Sequence, residues 1–439
     1  MTSSLSWFSI IRIGLVQTAI GAIVVQTTST LNRVMVIEIG LPAIVPGLLV
    51  TLHYAVQALR PKWGHLSDGG GRRTPWIIAG MALLASGGAL ASVATALMAT
   101  QQVAGMALGV VAFLLIGMGV GAAGTSLLTL LAERVAAANR AAAATIVWTM
   151  MIAGFAITAI STGKALDPFS LERLVTVTSV TCLIAFCVSA LAIHGVETKD
   201  PVANPKVTAK TPFRQAVAEV WSEPATLRFT IFIFVSMLAY NAQDLILEPF
   251  AGIVYGMTPG QSTQLGGLQH AGVLVGMIGV AVVTQIFKRG EAHVLRQFMV
   301  WGCLASAISM AAVAMGGVMG AQWPIRSAVF SLGVANGVFS IAAIGAMMAM
   351  ARSGHASREG VRMGLWGAAQ AIAFALGGLV GTSAVDLARI ASGSPTLAYT
   401  IVFFGEAVAF ALAALLAFYV GKPAKDEPTS FTQDVEQAA

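Results

Sequence analysis

The longest uncharged stretch of the sequence runs from residue 74 to residue 132 and reads TPWIIAGMALLASGGALASVATALMATQQVAGMALGVVAFLLIGMGVGAAGTSLLTLLA. None of its 59 residues is Asp, Glu, Lys or Arg. A helix needs about 20 apolar residues to cross the hydrocarbon core of a bilayer. The stretch is long enough for two crossings and a turn, and it predicts a membrane protein built of helices.

The composition of the whole chain supports this prediction. Of its 439 residues, 57% are hydrophobic and 10% are charged, whereas soluble proteins have about 25% charged residues. The apolar runs are continuous, which excludes a barrel of alternating strands. The net charge of +6 comes from short, scattered basic clusters, so no nucleic-acid-binding domain is indicated. The three cysteines lie in apolar segments without paired spacing, and we therefore expect neither disulfides nor a metal site.

Apolar runs bounded by charges, Pro and Gly predict twelve transmembrane helices and an all-α polytopic fold. In lipid, a helix satisfies its backbone hydrogen bonds within one segment, so each run should be helical. The predicted spans are residues 11–31, 41–60, 75–99, 103–132, 138–163, 171–194, 226–247, 264–287, 292–315, 323–351, 359–386 and 396–420.

The basic residues predict how the chain is oriented in the membrane. If both termini lie on one side, that side carries 20 of the 25 Lys and Arg residues, and the other side carries 5. Cytoplasmic loops are enriched in Lys and Arg. We therefore expect a multi-pass protein of a bacterial inner membrane with both termini in the cytoplasm.

The longest polar stretch divides the spans six to six. We predict an N-terminal half at residues 1–196, a linker at 197–225, a C-terminal half at 226–420 and a tail at 421–439. A shift of 218 residues places Gly119 on Gly337 and Trp148 on Trp366, and a shift of 216 places Gly40 on Gly256. Such a repeat predicts two halves related by a pseudo-two-fold axis along the membrane normal.

The loop after the second predicted span has the sequence GHLSDGGGRRTP, residues 64–75. The pattern G-x-L-x-D-x-x-G-R-R resembles the signature of the major facilitator superfamily, at the loop where that family carries it. Acidic and basic groups at helix ends can form charge-assisted hydrogen bonds. The pattern predicts a gating latch, with basic topology anchors as the alternative reading; the residues concerned are Gly64, Asp68, Gly71, Arg72 and Arg73.

Three further segments narrow the resemblance. They are TLNRVMVIEIGLPA at residues 30–43, DLILEPFAGIVYGMTP at 244–259 and GLWGAAQAIAFALGG at 364–378. Together they resemble the PucC/LhaA family of phototrophic bacteria, a major-facilitator-like group. The resemblance implies an intracytoplasmic photosynthetic membrane, bacteriochlorophyll or a precursor as bound ligand, and light-harvesting polypeptides as partners. One shorter member is labelled a bacteriochlorophyll synthase chain, which allows that synthase as a further partner.

Residue chemistry argues against an intrinsic enzyme. A pigment prenyltransferase needs clustered Asp residues to bind a diphosphate through Mg²⁺, and the sequence has no such cluster, no Walker A motif and no nucleotide-binding glycine fingerprint. We expect a non-catalytic accessory to bacteriochlorophyll synthesis. The alternatives are a proton-coupled transporter of a small apolar molecule and a scaffold that binds no ligand.

Several residues within the spans are candidates for ligand binding. His53 and His270 could give an axial nitrogen to the pigment magnesium, although hydrogen-bonded buried histidines are the plainer reading. Trp148 and Trp366 could stack on a macrocycle, but ordinary packing between helices is favoured.

Acidic residues form the last set of candidates. Glu406 falls near the bilayer midplane, where a charge is costly, so it should be neutral and face the groove between the halves. Glu38, Asp244 and Glu248 are expected near the non-cytoplasmic interface, together with Asn32 and Arg33. If the halves meet there, Arg33 should pair with Glu38 or Glu248.

Overall fold

The computed structural model describes residues 5–57, 72–136, 139–197, 221, 223–286, 291–353 and 359–420. In these ranges the chain is helical, with short connections between the helices. The helices are α1 (Trp7–Glu38), α2 (Ile44–Gln57), α3 (Thr74–Met98), α4 (Gln102–Arg134), α5 (Arg140–Ala165), α6 (Leu171–Ile193), α7 (Pro224–Tyr255), α8 (Pro259–Ile286), α9 (Glu291–Met319), α10 (Ile325–Ser353), α11 (Glu359–Ser392) and α12 (Pro395–Tyr419). A 3-10 turn, Gly320–Gln322, follows α9.

Each described helix falls on one of the twelve predicted spans. Eleven of them are long and apolar enough to cross a membrane. The remaining helix, α2, is described only as far as Gln57, because residues 58–71 lie outside the described part of the chain. The protein is therefore a multi-pass membrane protein.

Helix α1 extends beyond its predicted end at residue 31. It continues to Glu38 through two π-helical segments, Gln26–Thr30 and Val34–Glu38. Asn32 and Arg33 consequently lie within the helix and are buried. The sequence reading ended the span too early because Arg33 was taken as a loop residue. A cation can remain inside a helix bundle when neighbouring helices provide partners, and π-helical turns are frequent at functional sites.

Helices of the same half form the two main hydrophobic cores. In the N-terminal half α3 packs against α4, and α1 packs against α5 and α6. In the C-terminal half α8 packs against α10, and α9 packs against α10 and α12. The two halves meet along α1 with α7, α2 with α11 and α5 with α8, and α1 also contacts α8.

Two glycines end corresponding helices in the two halves. Gly40 follows α1 and Gly256 follows α7, with φ angles of 77° and 62°. Residues other than glycine rarely adopt these left-handed angles. The match found by the sequence repeat therefore has the same backbone conformation in both halves.

Most of the predicted linker, residues 198–220 and 222, lies outside the described residues, and so does the whole predicted tail, residues 421–439. Helix α7 begins at Pro224, two residues before the predicted start of the C-terminal half at residue 226. At the other end, Glu197 is buried against the N-terminal half.

Candidate functional site

Contacts between the halves cluster at one end of the bundle, which we call the closed end. It is the end where α1 stops at Glu38, α2 starts at Ile44, α7 stops at Tyr255 and α8 starts at Pro259. By the count of basic residues, this is the side expected to face away from the cytoplasm. The first residue of α1, Trp7, and the last residue of α12, Tyr419, lie at the opposite end, which we call the termini end.

Arg33 of α1 joins the halves at the closed end. Its Nη1 lies 2.5 Å from Glu38 Oε1, and its Nη2 donates to the carbonyl oxygen of Met257 at 2.7 Å. The side chain is only 2% exposed. Gly252 leaves room for it, because a Cβ atom there would lie 2.9 Å from Nη2. Asn32, its neighbour in sequence, donates to the carbonyl oxygen of Leu245 on α7.

Two aspartates that the sequence analysis did not select also bridge the halves. Asp386 on α11 accepts hydrogen bonds from the backbone amides of Ala43, at 3.2 Å, and Ile44, at 2.8 Å. Asp167, after α5, accepts from the Thr258 hydroxyl at 2.8 Å. Asp386 is the last residue of the predicted span 359–386, and Asp167 lies between two predicted spans. Their positions next to helix ends were the available signal, since helix starts have free amide groups.

Close backbone contact between α5 and α8 completes the closed end. A Cβ atom at Gly163 would lie 2.7 Å from the carbonyl oxygen of Gly260, and one at Gly260 would lie 2.4 Å from that of Gly163. A similar contact joins α2 to α11, where a Cβ at Gly47 would meet the Thr382 hydroxyl oxygen at 2.2 Å. Small residues permit such close helix approach in membranes.

The carboxyl groups of Glu248 and Asp244 lie deeper in the bundle than the sequence analysis expected, and their predicted place near the membrane interface is wrong. Glu248 was placed near the interface, but it is 2% exposed and accepts a hydrogen bond from Thr263 of α8 at 3.1 Å. Burial is tolerated because the start of α8 provides hydroxyl donors, with Ser262 Oγ also 3.4 Å from the carboxylate. Asp244, one turn further inward, is half-buried and its Oδ1 has no hydrogen-bond partner among the described residues.

Glu406 does not face the groove between the halves. Helix α12 packs against α7, α9 and α11, all in the C-terminal half. Within that half Glu406 is 7% exposed, and Asp244 of α7 lies close enough to act on it electrostatically. Neither of its carboxyl oxygens has a hydrogen-bond partner in the described part of the chain. The expectation failed because distance from the helix ends gives depth in the membrane and leaves the direction of the side chain undetermined.

The two candidate histidines have different surroundings. The Nε2 of His53 lies 3.0 Å from the Gln57 amide nitrogen, and its ring contacts that of Tyr54. His270 on α8 packs against the ring of Phe155 on α5, between the halves. Its Nδ1 is buried and has no hydrogen-bond partner among the described residues.

The two tryptophans are also placed differently. Trp366 is enclosed in the C-terminal half, with its ring centroid 5.0 Å from that of Phe229 in an edge-on arrangement. Trp148 is half-buried on α5. These tryptophans occupy corresponding helices, but they do not have the same environment.

The predicted latch is described only in part, because Gly64, Asp68 and Gly71 lie outside the described residues. Arg73, at the start of α3, pairs with Glu133 near the end of α4 at 2.7 Å. Its backbone amide donates to Glu197 at 2.8 Å, and the Arg72 Nε lies 3.9 Å from the same carboxylate. These contacts join helix ends within the N-terminal half.

Comparisons with known proteins agree with this architecture and with the sequence resemblance. Residues 30–424 match the family model described as PUCC protein. The chain is 49% identical over 417 residues to the bacteriochlorophyll synthase 44.5 kDa chain of Rhodobacter capsulatus, covering 94% of this chain and 95% of that protein. It is 26% identical to Protein PucC of Cereibacter sphaeroides, covering 91% and 88%.

Solved transporter structures have the same fold. A structure from work on substrate recognition in proton-dependent oligopeptide transporters gives a TM-score of 0.68 at 15% identity, covering 94% of this chain and 98% of that one. The nucleoside transporter NupG gives 0.67 at 12% identity, covering 95% and 100%. The predicted major-facilitator-like fold is thereby confirmed. The family match, which spans most of the sequence, shows that this chain belongs to the PUCC protein family.

Proposed function

We propose that this protein binds bacteriochlorophyll or one of its precursors and assists the assembly of light-harvesting complexes. The observation that carries the proposal is the 49% identity, along nearly the whole chain, to a protein named as a bacteriochlorophyll synthase chain. The proposed site of action is a bacterial inner membrane, cytoplasmic or intracytoplasmic, with both termini in the cytoplasm. Light-harvesting polypeptides are the proposed partners, and the synthase is a further one.

The interface between α5 and α8 is the part of the bundle best suited to a pigment. Bacteriochlorophyll supplies a magnesium ion that takes an axial ligand, and a neutral imidazole nitrogen is suited to that role. The buried Nδ1 of His270, which has no hydrogen-bond partner among the described residues, fits this requirement. His53 fits it less well, since its Nε2 already lies 3.0 Å from Gln57.

A pigment could reach His270 only if α5 and α8 separate, because the ring is buried against Phe155. The π-faces of Phe155 and of the half-buried Trp148 would then line the same opening from α5. We therefore place pigment binding in a conformation in which these two helices have moved apart.

We further propose that the protein is not itself a catalyst. The family relation and the transporter-like fold support this role, in which the chain presents the pigment while another protein performs the chemistry. Its loss should lower the amount of assembled antenna while esterification of the pigment continues.

The test combines purification with replacement of His270. Protein purified in mild detergent from a phototrophic host should carry a bacteriochlorophyll absorption band, and His270→Leu should shift or remove that band at equal protein abundance. His293→Leu is the matched control, because His293 is exposed on α9. Co-purifying proteins are identified from the same sample. Pigment-free wild-type protein, or purified protein that esterifies bacteriochlorophyllide by itself, would contradict the proposal.

A proton-coupled transporter of a small apolar molecule is the second candidate, favoured by the buried carboxyls of Asp244 and Glu406. Glu406→Gln retains the shape of the side chain but removes its titration. A pigment-binding accessory with Glu406→Gln should support normal antenna content, whereas a proton-coupled transporter should fail. Loss of function at normal protein abundance would favour the transporter.

A further inference from the structure

Two carboxyl groups inside the C-terminal half lack the partners that buried acids normally have. Both carboxyl oxygens of Glu406 and the Oδ1 of Asp244 are buried without a hydrogen-bond partner among the described residues. Neither group forms an ion pair with a described residue. Buried charges are ordinarily paired or neutralised. Two ionised carboxyls here would therefore need a cation, which no described residue provides.

The two carboxyls lie at the same depth. Asp244 is 11 residues from the closed-end terminus of α7 at Tyr255, and Glu406 is 11 residues from that of α12 at Pro395. At about 1.5 Å per residue, both are roughly 16 Å from that end, near the middle of an apolar layer of about 30 Å. Helix α7 packs against α12, and the charge of Asp244 acts on Glu406, so two negative charges here would repel strongly in a low dielectric.

Neutral amide groups surround the pair. The side chains of Gln243 on α7 and Gln269 on α8 are buried and lie beside the Asp244 carboxyl. Within the described part of the chain, both amide atoms of Gln243 and the Nε2 of Gln269 have no hydrogen-bond partner. The site therefore offers unpaired oxygens from two carboxyls and one amide.

The described cations form no ion pair with these acids. The other titratable side chains within the membrane-spanning part of the surrounding helices are Tyr240, Glu248 and Tyr255 on α7, His270 on α8, Cys303 on α9, Asp386 on α11 and Tyr399 on α12. The arginines of these helices lie near helix ends: Arg228 on α7, Arg296 on α9, and Arg362 and Arg389 on α11. Arg33 on α1 lies further inside, and it is already bonded to Glu38 and Met257. Its electrostatic influence falls on Glu248, nearer the closed end.

We propose that Asp244 and Glu406, together with the amide oxygen of Gln243, form a binding site for one monovalent cation, either an alkali ion or a proton. Oxygen ligands suit hard cations. Divalent ions such as Ca²⁺ and Mg²⁺ take about six or more oxygen ligands, which is more than these three side chains offer, so we assign a single positive charge. One bound charge leaves the pair with a net charge of −1 instead of −2.

The experiment measures melting temperature in mild detergent. A ligand that binds only the folded protein raises its stability. Wild-type protein is compared in NaCl, KCl and choline chloride at equal ionic strength, across a range of pH. We expect the melting temperature to rise by several degrees with Na⁺ or K⁺, or to rise as the pH is lowered in choline chloride. Dependence on Na⁺ or K⁺ at fixed pH identifies an alkali ion, and dependence on pH alone identifies a proton.

The variants Asp244→Asn and Glu406→Gln should each abolish that dependence, because each removes the excess negative charge. Glu172→Gln, which changes an exposed carboxyl at the start of α6, should leave it intact. If the first two variants do not fold, the wild-type infrared spectrum provides a second measurement. A proton bound at the pair adds the carbonyl stretching band of a carboxylic acid, and an alkali ion moves the carboxylate bands when it replaces choline.

Two results would overturn the proposal. One is a wild-type protein whose melting temperature and carboxyl infrared bands respond neither to alkali ions nor to pH. The other is a folded Glu406→Gln protein that retains the full wild-type dependence. Neither measurement requires pigment, so failure here leaves the proposed role in antenna assembly untouched.

Discussion

Asp386 on α11 accepts a hydrogen bond from the backbone amide of Ile44 at 2.8 Å, which joins the C-terminal half to the first turn of α2. The first amides of a helix have no partner within that helix, and a carboxylate is stabilised by the positive end of the helix dipole. The contact therefore stabilises the closed end through a bond that breaks when the halves separate there.

Replacing this carboxylate should loosen the closed end. Hydrogen bonds to charged groups contribute about 2 kcal/mol, so Asp386→Ala should shift the equilibrium between closed and open forms by roughly thirtyfold. A cysteine at Gln264, in the contact between α5 and α8, reports the change. Its modification by an impermeant maleimide should be faster with Asp386→Ala, in a background where the exposed Cys187 is Ala.

Glu172→Gln is the control, since it removes an exposed carboxyl elsewhere on the surface. Equal modification rates with and without Asp386→Ala would mean that this carboxylate caps α2 without stabilising the closed form.

The glycine contact between α5 and α8 gives a steric prediction. In Gly163→Ala the new Cβ would lie 2.7 Å from the Gly260 carbonyl oxygen, which is too close for the helices to keep their positions. Overpacking of this kind costs about 1–3 kcal/mol. We expect a lower melting temperature or a bundle opened at the closed end, seen as faster labelling of the cysteine at position 264.

Gly405→Ala is the matched control, because Gly405 lies in α12 and no described atom of another helix is within 4 Å of the position that its Cβ would take. Alanine is the better helix former by about 1 kcal/mol, so this variant should be at least as stable as wild type. If both alanine variants behaved alike, the α5–α8 contact would have no steric importance.

Glu197 should be important for the stability of the N-terminal half. Its carboxylate accepts from the amides of Arg73, at 2.8 Å, and Thr74, at 2.9 Å, and also from the Thr74 hydroxyl. Glu197→Ala leaves these buried donors unsatisfied, at a cost of about 1–3 kcal/mol. Glu197→Gln retains one acceptor oxygen, so its melting temperature should fall between those of wild type and the Ala variant. The reverse order of the two variants would contradict the capping role.

Cysteine labelling of intact cells tests the orientation. Lys164 and Arg389 are exposed and belong to the closed end, whereas Arg72 belongs to the termini end. Cysteines at 164 and 389 should react with an impermeant reagent, and a cysteine at 72 should react only after permeabilisation. Labelling at 72 in intact cells would reverse the orientation. Lys206 and Arg358, two further positions expected on the cytoplasmic side, lie outside the described residues.

Membrane insertion, helix number and family could be predicted from sequence because they depend on local properties of the chain. The length of an uncharged run such as residues 74–132 is enough to specify two crossings, since each crossing must satisfy its own backbone hydrogen bonds. The family resemblance also rested on short segments such as residues 30–43, whose residue order can be compared without knowledge of the fold. The repeat between Gly40 and Gly256 was visible because both positions require the same unusual backbone angle.

Side-chain direction and pairing between distant segments were decided only by the tertiary structure. Distance along a helix placed Glu406 at the right depth, yet its rotation towards Asp244 depends on how α12 packs on α7. The contact between Asp386 and Ile44 joins residues 342 positions apart, and no local pattern specifies it. Burial of Arg33 and Glu248 likewise depends on partners from other helices, because the free energy of a charge in a membrane is set by what surrounds it in space.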